Sequence, residues 1–136
     1  MIQLAVNGTL MRGLGLNKNL INAGAKFIRE AKTRNGYRLY SISEVHPAMY
    51  REINGGGSEI SVEIWELDGE GLVSVLVNEP PGLCIGKVEL NDGTTAFGVL
   101  GEQYIFKDQK EITHFGGWRE YVGNTKPTTR MDTGPT

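Results

Sequence analysis

Glycine constrains this chain more than any other residue. Nineteen of 136 residues are glycine, spread through the sequence without a period. A fibrous repeat is therefore excluded, and a fold with many turns between short elements is expected. The length fits one domain able to bury a core without metal or disulfide staples. Between the glycines, several runs carry the signature of strands. Ile2 to Val6 is a short apolar run that ends at Asn7-Gly8. Tyr37 to Ser43 is rich in β-formers, and Ile60 to Leu67 alternates Ile60, Val62 and Ile64 against Ser61, Glu63 and Trp65. "GKVELNDGTTAFGVL" reads as a hairpin around Asn91-Asp92-Gly93.

Helices are fewer. Asn17 is a candidate N-cap, and Leu20, Gly24, Phe27, Ile28 and Ala31 fall on one helical face. That spacing predicts one long helix, with Lys32 and Arg34 at its negative pole and Asn35-Gly36 as its stop. Asp68 is placed to cap a short helix through Leu72, Val75 and Leu76, which Glu79-Pro80-Pro81-Gly82 ends. The stretch "EVHPAMY" reads as a loop, with at most a short strand ending at Ile53, and Gly55-Gly56-Gly57 as a turn. A last short helix is expected near Trp118 to Val122. From Gly123 on, Met131 is the only large apolar residue, which predicts a mobile tail over 123–136 behind a domain of residues 1–122. Roughly six strands without regular βα alternation give an α+β fold: a curled mixed sheet or small mixed β-barrel with the first helix packed on it.

Charge narrows the function. Lysine plus arginine total 14 and aspartate plus glutamate 16, a net charge of −2. This argues against a nucleic-acid partner held by phosphate contacts. No apolar run approaches membrane-spanning length, and Met1 leads straight into a strand without a signal-like core. Cys84 stands alone, so no internal disulfide forms. A cytoplasmic protein without a membrane partner is expected. His46 and His114 lack a second histidine or cysteine at ligand spacing, so no metal site is expected. "GLCIGKV" fails as a phosphate loop, because no Ser or Thr follows Lys87 and a strand follows where a helix is needed. Cys84 lacks an adjacent base and reads as a buried apolar residue.

The candidate site begins where the first strand ends. Gly8 offers a backbone without a Cβ in the way of a ligand, and the N–H groups of Thr9, Leu10 and Met11 lose their strand partners. Such donors can converge on an anion as a nest. The simpler reading, that Asn7-Gly8 only turns the chain, stays open. Arg12 either adds charge or is solvated. Glu79 is the candidate acid-base, with a solvated loop glutamate as the alternative: Pro80 pushes it towards an extended backbone, and the mouth of an apolar pocket would raise its pKa. Tyr40 and His46 are candidates to line the same pocket, with core and loop roles as the alternatives.

Taken in order, "GTLMRGLGLNKNLINAGAKF", "YRLYSI", "ISVEIWEL", "PPGLCIGKVELNDG" and a late "FGGWREY" resemble the C-terminal domain of allophanate hydrolase and its stand-alone relatives, within the γ-glutamylcyclotransferase-like fold. The likeness runs from about Leu4 to Val122. It implies a small mixed β-barrel with flanking helices and a pocket at one end. It also implies a glycine loop, here Asn7 to Met11, that binds a carboxylate-bearing substrate, and a glutamate acid-base, which Glu79 approximates. The allophanate hydrolase domain is associated with N-carboxycarbamate, whose decarboxylation it assists. The chain departs in two ways: Asn7 stands where cyclotransferases carry an aromatic residue, and the serine-lysine amidase half is missing. Two readings follow. One is a cofactor-free enzyme of nitrogen metabolism acting on a small anionic substrate by decarboxylation or cyclotransfer, a lyase or transferase. The other is a non-catalytic accessory module for a separate amidase. The implied fold is compatible with a homodimer.

Overall fold

The computed structural model describes residues 1–125. Among them eight strands and three short α-helices, besides 3-10 turns at Gln103–Phe106 and Thr113–Phe115, appear in the order β1 (Ile2–Val6), α1 (Asn17–Asn22), β2 (Lys26–Lys32), β3 (Tyr37–Ile42), β4 (His46–Arg51), β5 (Ser61–Leu67), α2 (Gly69–Val77), β6 (Leu83–Glu89), β7 (Thr95–Gly101), β8 (Lys110–Glu111) and α3 (Trp118–Thr125). The fold is α+β. The strands form a five-stranded sheet in the order β2-β5-β1-β7-β6 and a three-stranded sheet in the order β4-β3-β8. The larger sheet is mixed: β1 runs parallel to β7 and antiparallel to β5.

No closed barrel forms among the described residues. Instead the large sheet curls until its two edge strands meet at one end. There Thr33 bridges Leu90, Arg34 N–H donates to the Glu89 carbonyl at 2.9 Å, and Asn91 N–H to the Lys32 carbonyl at 3.0 Å. The small sheet approaches the other side, where β4 packs on β7 at Ala48 and Gly101. The core between them is formed by Leu4, Val6, Leu39, Met49, Ile60, Ile64 and Ile112, all essentially inaccessible to solvent.

The long helix expected from Asn17 onward does not form. α1 stops at Asn22, Gly24 adopts a left-handed φ of +79°, and residues 26–32 become β2. A bulge between Phe27 and Arg29 explains the misleading pattern. The extra residue, Ile28, shifts the strand's parity: Phe27 pairs with Trp65 and Ala31 with Val62, on opposite faces of the sheet, so the alternation that marks a strand is broken. The expected loop over "EVHPAMY" is also overturned: His46–Arg51 is strand β4, paired with β3. Pro47 is tolerated because β4 is an edge strand. The connecting turn uses Ser43 and Glu44 at φ of +53° and +61°, residue types that give no hairpin signal in a sequence. Asp68 caps α2 as expected, its carboxylate accepting the Gly71 N–H at 2.7 Å. α3 runs to Thr125, and the rest of the expected tail lies outside the described residues.

Candidate active site

The loop after β1 is held by its carbonyls. The Gly8 carbonyl accepts Met11 N–H at 3.0 Å, the Thr9 carbonyl accepts Leu16 N–H at 2.9 Å, and the Leu10 carbonyl accepts the Asn17 side-chain amide at 2.8 Å. In a trans peptide the N–H points away from the preceding carbonyl. The N–H groups of Thr9 and Leu10 therefore face away from these contacts, and among the described residues no backbone acceptor takes them. Met11 is different: its N–H is engaged by Gly8, and its buried side chain lines a separate cleft. Of the three expected donors, Met11 is therefore lost, and the N–H groups of Thr9 and Leu10 stay without an acceptor among the described residues.

Gly8 is required for a reason other than ligand approach. A Cβ there would sit 2.6 Å from Cγ and Cδ of Pro47, at the start of β4. The close contact fastens the loop to the strand that carries His46. Asn7 is buried, and its Nδ2 donates to the Val99 carbonyl at 3.2 Å, tying β1 to β7. His46 places Nδ1 2.9 Å from the Pro47 carbonyl. A carbonyl only accepts, so Nδ1 carries the proton and Nε2 is the ring nitrogen left to meet a ligand.

These residues surround a small cleft lined by Val6, Asn7, Gly8, Thr9, Leu10, His46, Pro47, Glu79, Leu83 and Val99. Its volume is about 20 Å³, room for about one water molecule. Glu79, Leu83 and Val99 also border a neighbouring cleft of about 270 Å³, whose other walls are Leu76, Pro80, Cys84 and Ile85. Glu79 stands between a polar niche and an apolar chamber. Its carboxylate has no hydrogen-bond or ion-pair partner among the described residues, and burial pushes its pKa up.

Other expectations fall differently. Tyr40 does not reach the cleft; it packs with Tyr50 and Phe106 at ring separations of 6.0 and 5.1 Å. Burial and a hydrogen bond with Tyr40 push the Tyr50 hydroxyl up to about 12. Cys84 lines the apolar chamber, where its thiol donates to the Leu100 carbonyl at 3.5 Å and burial raises its pKa. His114 lies against Phe115. Arg12 is neither free nor merely solvated: it bridges Glu30 at 2.7 Å and Glu63 at 3.1 Å and covers the Phe27 ring.

Glu63 is the residue that the sequence pattern hides. Alternation puts it on the polar face of β5, yet its side chain is only 3% exposed. Burial alone would raise its pKa, but the Arg12 main-chain N–H, Trp65 Nε1 and the Arg12 guanidinium outweigh that and hold it below the ordinary value. A larger cleft of about 400 Å³ borders Glu63, Arg119, Arg29 and Lys32. It holds neither unpaired loop amide, and both oxygens of its deepest carboxylate already accept hydrogen bonds.

A family model described as the allophanate hydrolase C-terminal domain matches residues 2–123. The urea amidolyase of Saccharomyces cerevisiae is 30% identical over 126 residues, which is 88% of this chain and 7% of that protein. The chain thus spans only about 7% of the length of the curated relatives it matches. Among solved structures, c4763, a uropathogenic E. coli-specific protein, is similar with a TM-score of 0.87 and 48% identity, covering 92% of this chain and 98% of that one. Kluyveromyces lactis allophanate hydrolase matches with a TM-score of 0.88 and 29% identity, over 92% of this chain and 21% of that one. An AIG2-like protein from Mus musculus, at 21% identity and a TM-score of 0.59 over 79% and 80% of the two chains, shares the fold alone. It agrees with the γ-glutamylcyclotransferase-like expectation.

Proposed function

We propose, given that this chain belongs to the allophanate hydrolase C-terminal domain family, that it is a cofactor-independent enzyme that decarboxylates a small carbamate-like dianion of nitrogen metabolism. The observation that carries this reading is the position of Glu79. An unpartnered carboxyl with a raised pKa separates two unpaired main-chain donors from an apolar chamber. The niche admits one oxygen atom and not a whole carbamate. The substrate would seat one carboxylate oxygen on the Thr9 and Leu10 amides, beside Nε2 of His46. Its second carboxylate would extend among Leu76, Pro80, Leu83 and Ile85. A carboxylate in that chamber loses hydration, which favours its departure as neutral CO2. The C–N bond breaks, its electron pair stays on nitrogen, and the Glu79 carboxylic acid gives nitrogen the proton. The products are CO2 and a carbamate, and water reprotonates Glu79.

Cyclotransfer by the same glutamate would also need groups for the ammonium of a γ-glutamyl amine. Glu79 and His46 are the titratable side chains of the niche, so the decarboxylation reading needs fewer roles from each. The test is turnover of N-carboxycarbamate and of γ-glutamyl amines by the wild-type protein and by Glu79→Gln. CO2 release lost in the variant supports the reading. Release unchanged in the variant, or cyclisation of the γ-glutamyl amines alone, would contradict it.

One observation favours a second reading. The matched urea amidolyase and allophanate hydrolase chains are far longer than this chain. An accessory role beside a separate amidase, or as a homodimer, would follow if purified chain alone released no CO2 and did so only with such a partner.

A further inference from the structure

Glu63 lies on the opposite side of the glycine loop from Glu79, and four hydrogen bonds end on its carboxylate. Oε1 accepts the main-chain N–H of Arg12 at 2.9 Å and Nε1–H of Trp65 at 3.1 Å. Oε2 accepts Nε–H of Arg12 at 3.1 Å and a guanidinium N–H of Arg119 at 3.2 Å. The same Arg119 group donates to the Arg12 carbonyl at 2.9 Å. Both main-chain polar groups of Arg12 are thus fixed, one by Glu63 and the other by an arginine that Glu63 holds. Register places Glu63 directly across from Val6, the last residue of β1, and from Glu30 on β2. Two carboxylates facing each other across strands would repel, and the Arg12 guanidinium lies between them.

This matters because the loop from Gly8 to Arg12 is short and its two unpaired amides do nothing to hold it. Its upstream end is fixed by Gly8 against Pro47, its middle by Leu16 and Asn17, and its downstream end by Arg12. We infer that Glu63 is a positioning residue: its carboxylate, through Arg12 and Arg119, sets the direction in which the Thr9 and Leu10 amides face the anion niche. The inference rests on the anion-binding reading above and deepens it by naming what aims the donors. It also gives α3 a role, since Arg119 links that helix to the loop.

The test uses the full-length chain labelled with nitrogen-15, malonate as the probe, and the variants Glu63→Gln and Arg119→Met. Glutamine keeps the side-chain volume but turns an N–H group toward the arginines. For Glu63→Gln, malonate binding is expected to weaken about tenfold, with the Thr9 and Leu10 amide resonances displaced in the unliganded protein and those of the exposed turn at Gly55 unmoved. For Arg119→Met, which removes one donor at a half-exposed site, the loss is expected to be about threefold. A folded Glu63→Gln with wild-type affinity and unmoved loop amides overturns the inference. If Glu63→Gln does not fold, Arg119→Met decides: unmoved loop amides and unchanged affinity overturn it. If the wild-type chain itself does not bind malonate, the anion reading fails, while the loop amide resonances of the unliganded variants still decide whether Glu63 positions them.

Discussion

Two glutamates flank the glycine loop, and their surroundings drive them apart. Glu63 is fully buried and takes four donors, so its charge is stabilised and its pKa lies low. Glu79 is half-buried with no partner among the described residues, so its charge is penalised and its pKa lies high. The pair teaches how environment sets one residue type on opposite sides of its ordinary pKa. The paired carboxylate is suited to hold a loop still, and the unpaired one to carry a proton.

The contrast breaks most visibly at Glu63. Glu63→Gln removes the charge and one of the two acceptor oxygens that Arg12 and Arg119 share, and is expected to destabilise the fold by about 3 kcal/mol, at the lower end for a severed buried pair because both arginines reach solvent. Denaturant unfolding measures it. The pH dependence has a definite sign. A carboxyl whose pKa is lowered by folding adds stability above its ordinary range and loses it as pH falls through the folded value. The gap between wild type and Glu63→Gln should therefore narrow below about pH 4. Glu79→Gln should act on chemistry instead, lowering turnover about 10²-fold without loss of fold. Steady-state assays of CO2 release check it. Gly8→Ala drives a methyl group into the Pro47 ring and should cost about 2 kcal/mol while displacing the loop amides, which calorimetry and amide spectra report together. The smallest effect sharpens the comparison at its other end. A carboxyl whose pKa is raised by folding destabilises the folded state once ionised. Glu79→Gln should then melt slightly above wild type at about pH 8, and that difference should vanish below the ordinary carboxylate range.

These two acids also mark how far the sequence could be read. The position of Glu79 in the chain was legible because its neighbours are local: α2 ends just before it, and Pro80 follows. Glu63 was not, because Arg12 and Arg119 lie 51 and 56 residues away and no pattern within β5 announces them. The fold divides the same way. β1, β5, the β6–β7 hairpin and the Asp68 cap rest on local alternation, turn chemistry or capping, and all were readable. β2 was masked by a bulge that breaks its alternation. β4 was masked by a proline and by a turn without glycine. The turn after β1 was readable, but the engagement of the Met11 N–H depended on one hydrogen bond to Gly8. Tyr40 was drawn away by Tyr50 and Phe106, partners that only the tertiary fold brings together.

The most direct measurement is a crystal structure of the chain soaked with malonate. The account predicts one carboxylate oxygen about 2.9 Å from the main-chain nitrogens of Thr9 and Leu10, with the other carboxylate in the chamber beside Leu83 and Ile85 and Glu79 between them. Malonate bound instead at Arg29, Lys32 and Arg119, or absent with the niche unchanged, would contradict it.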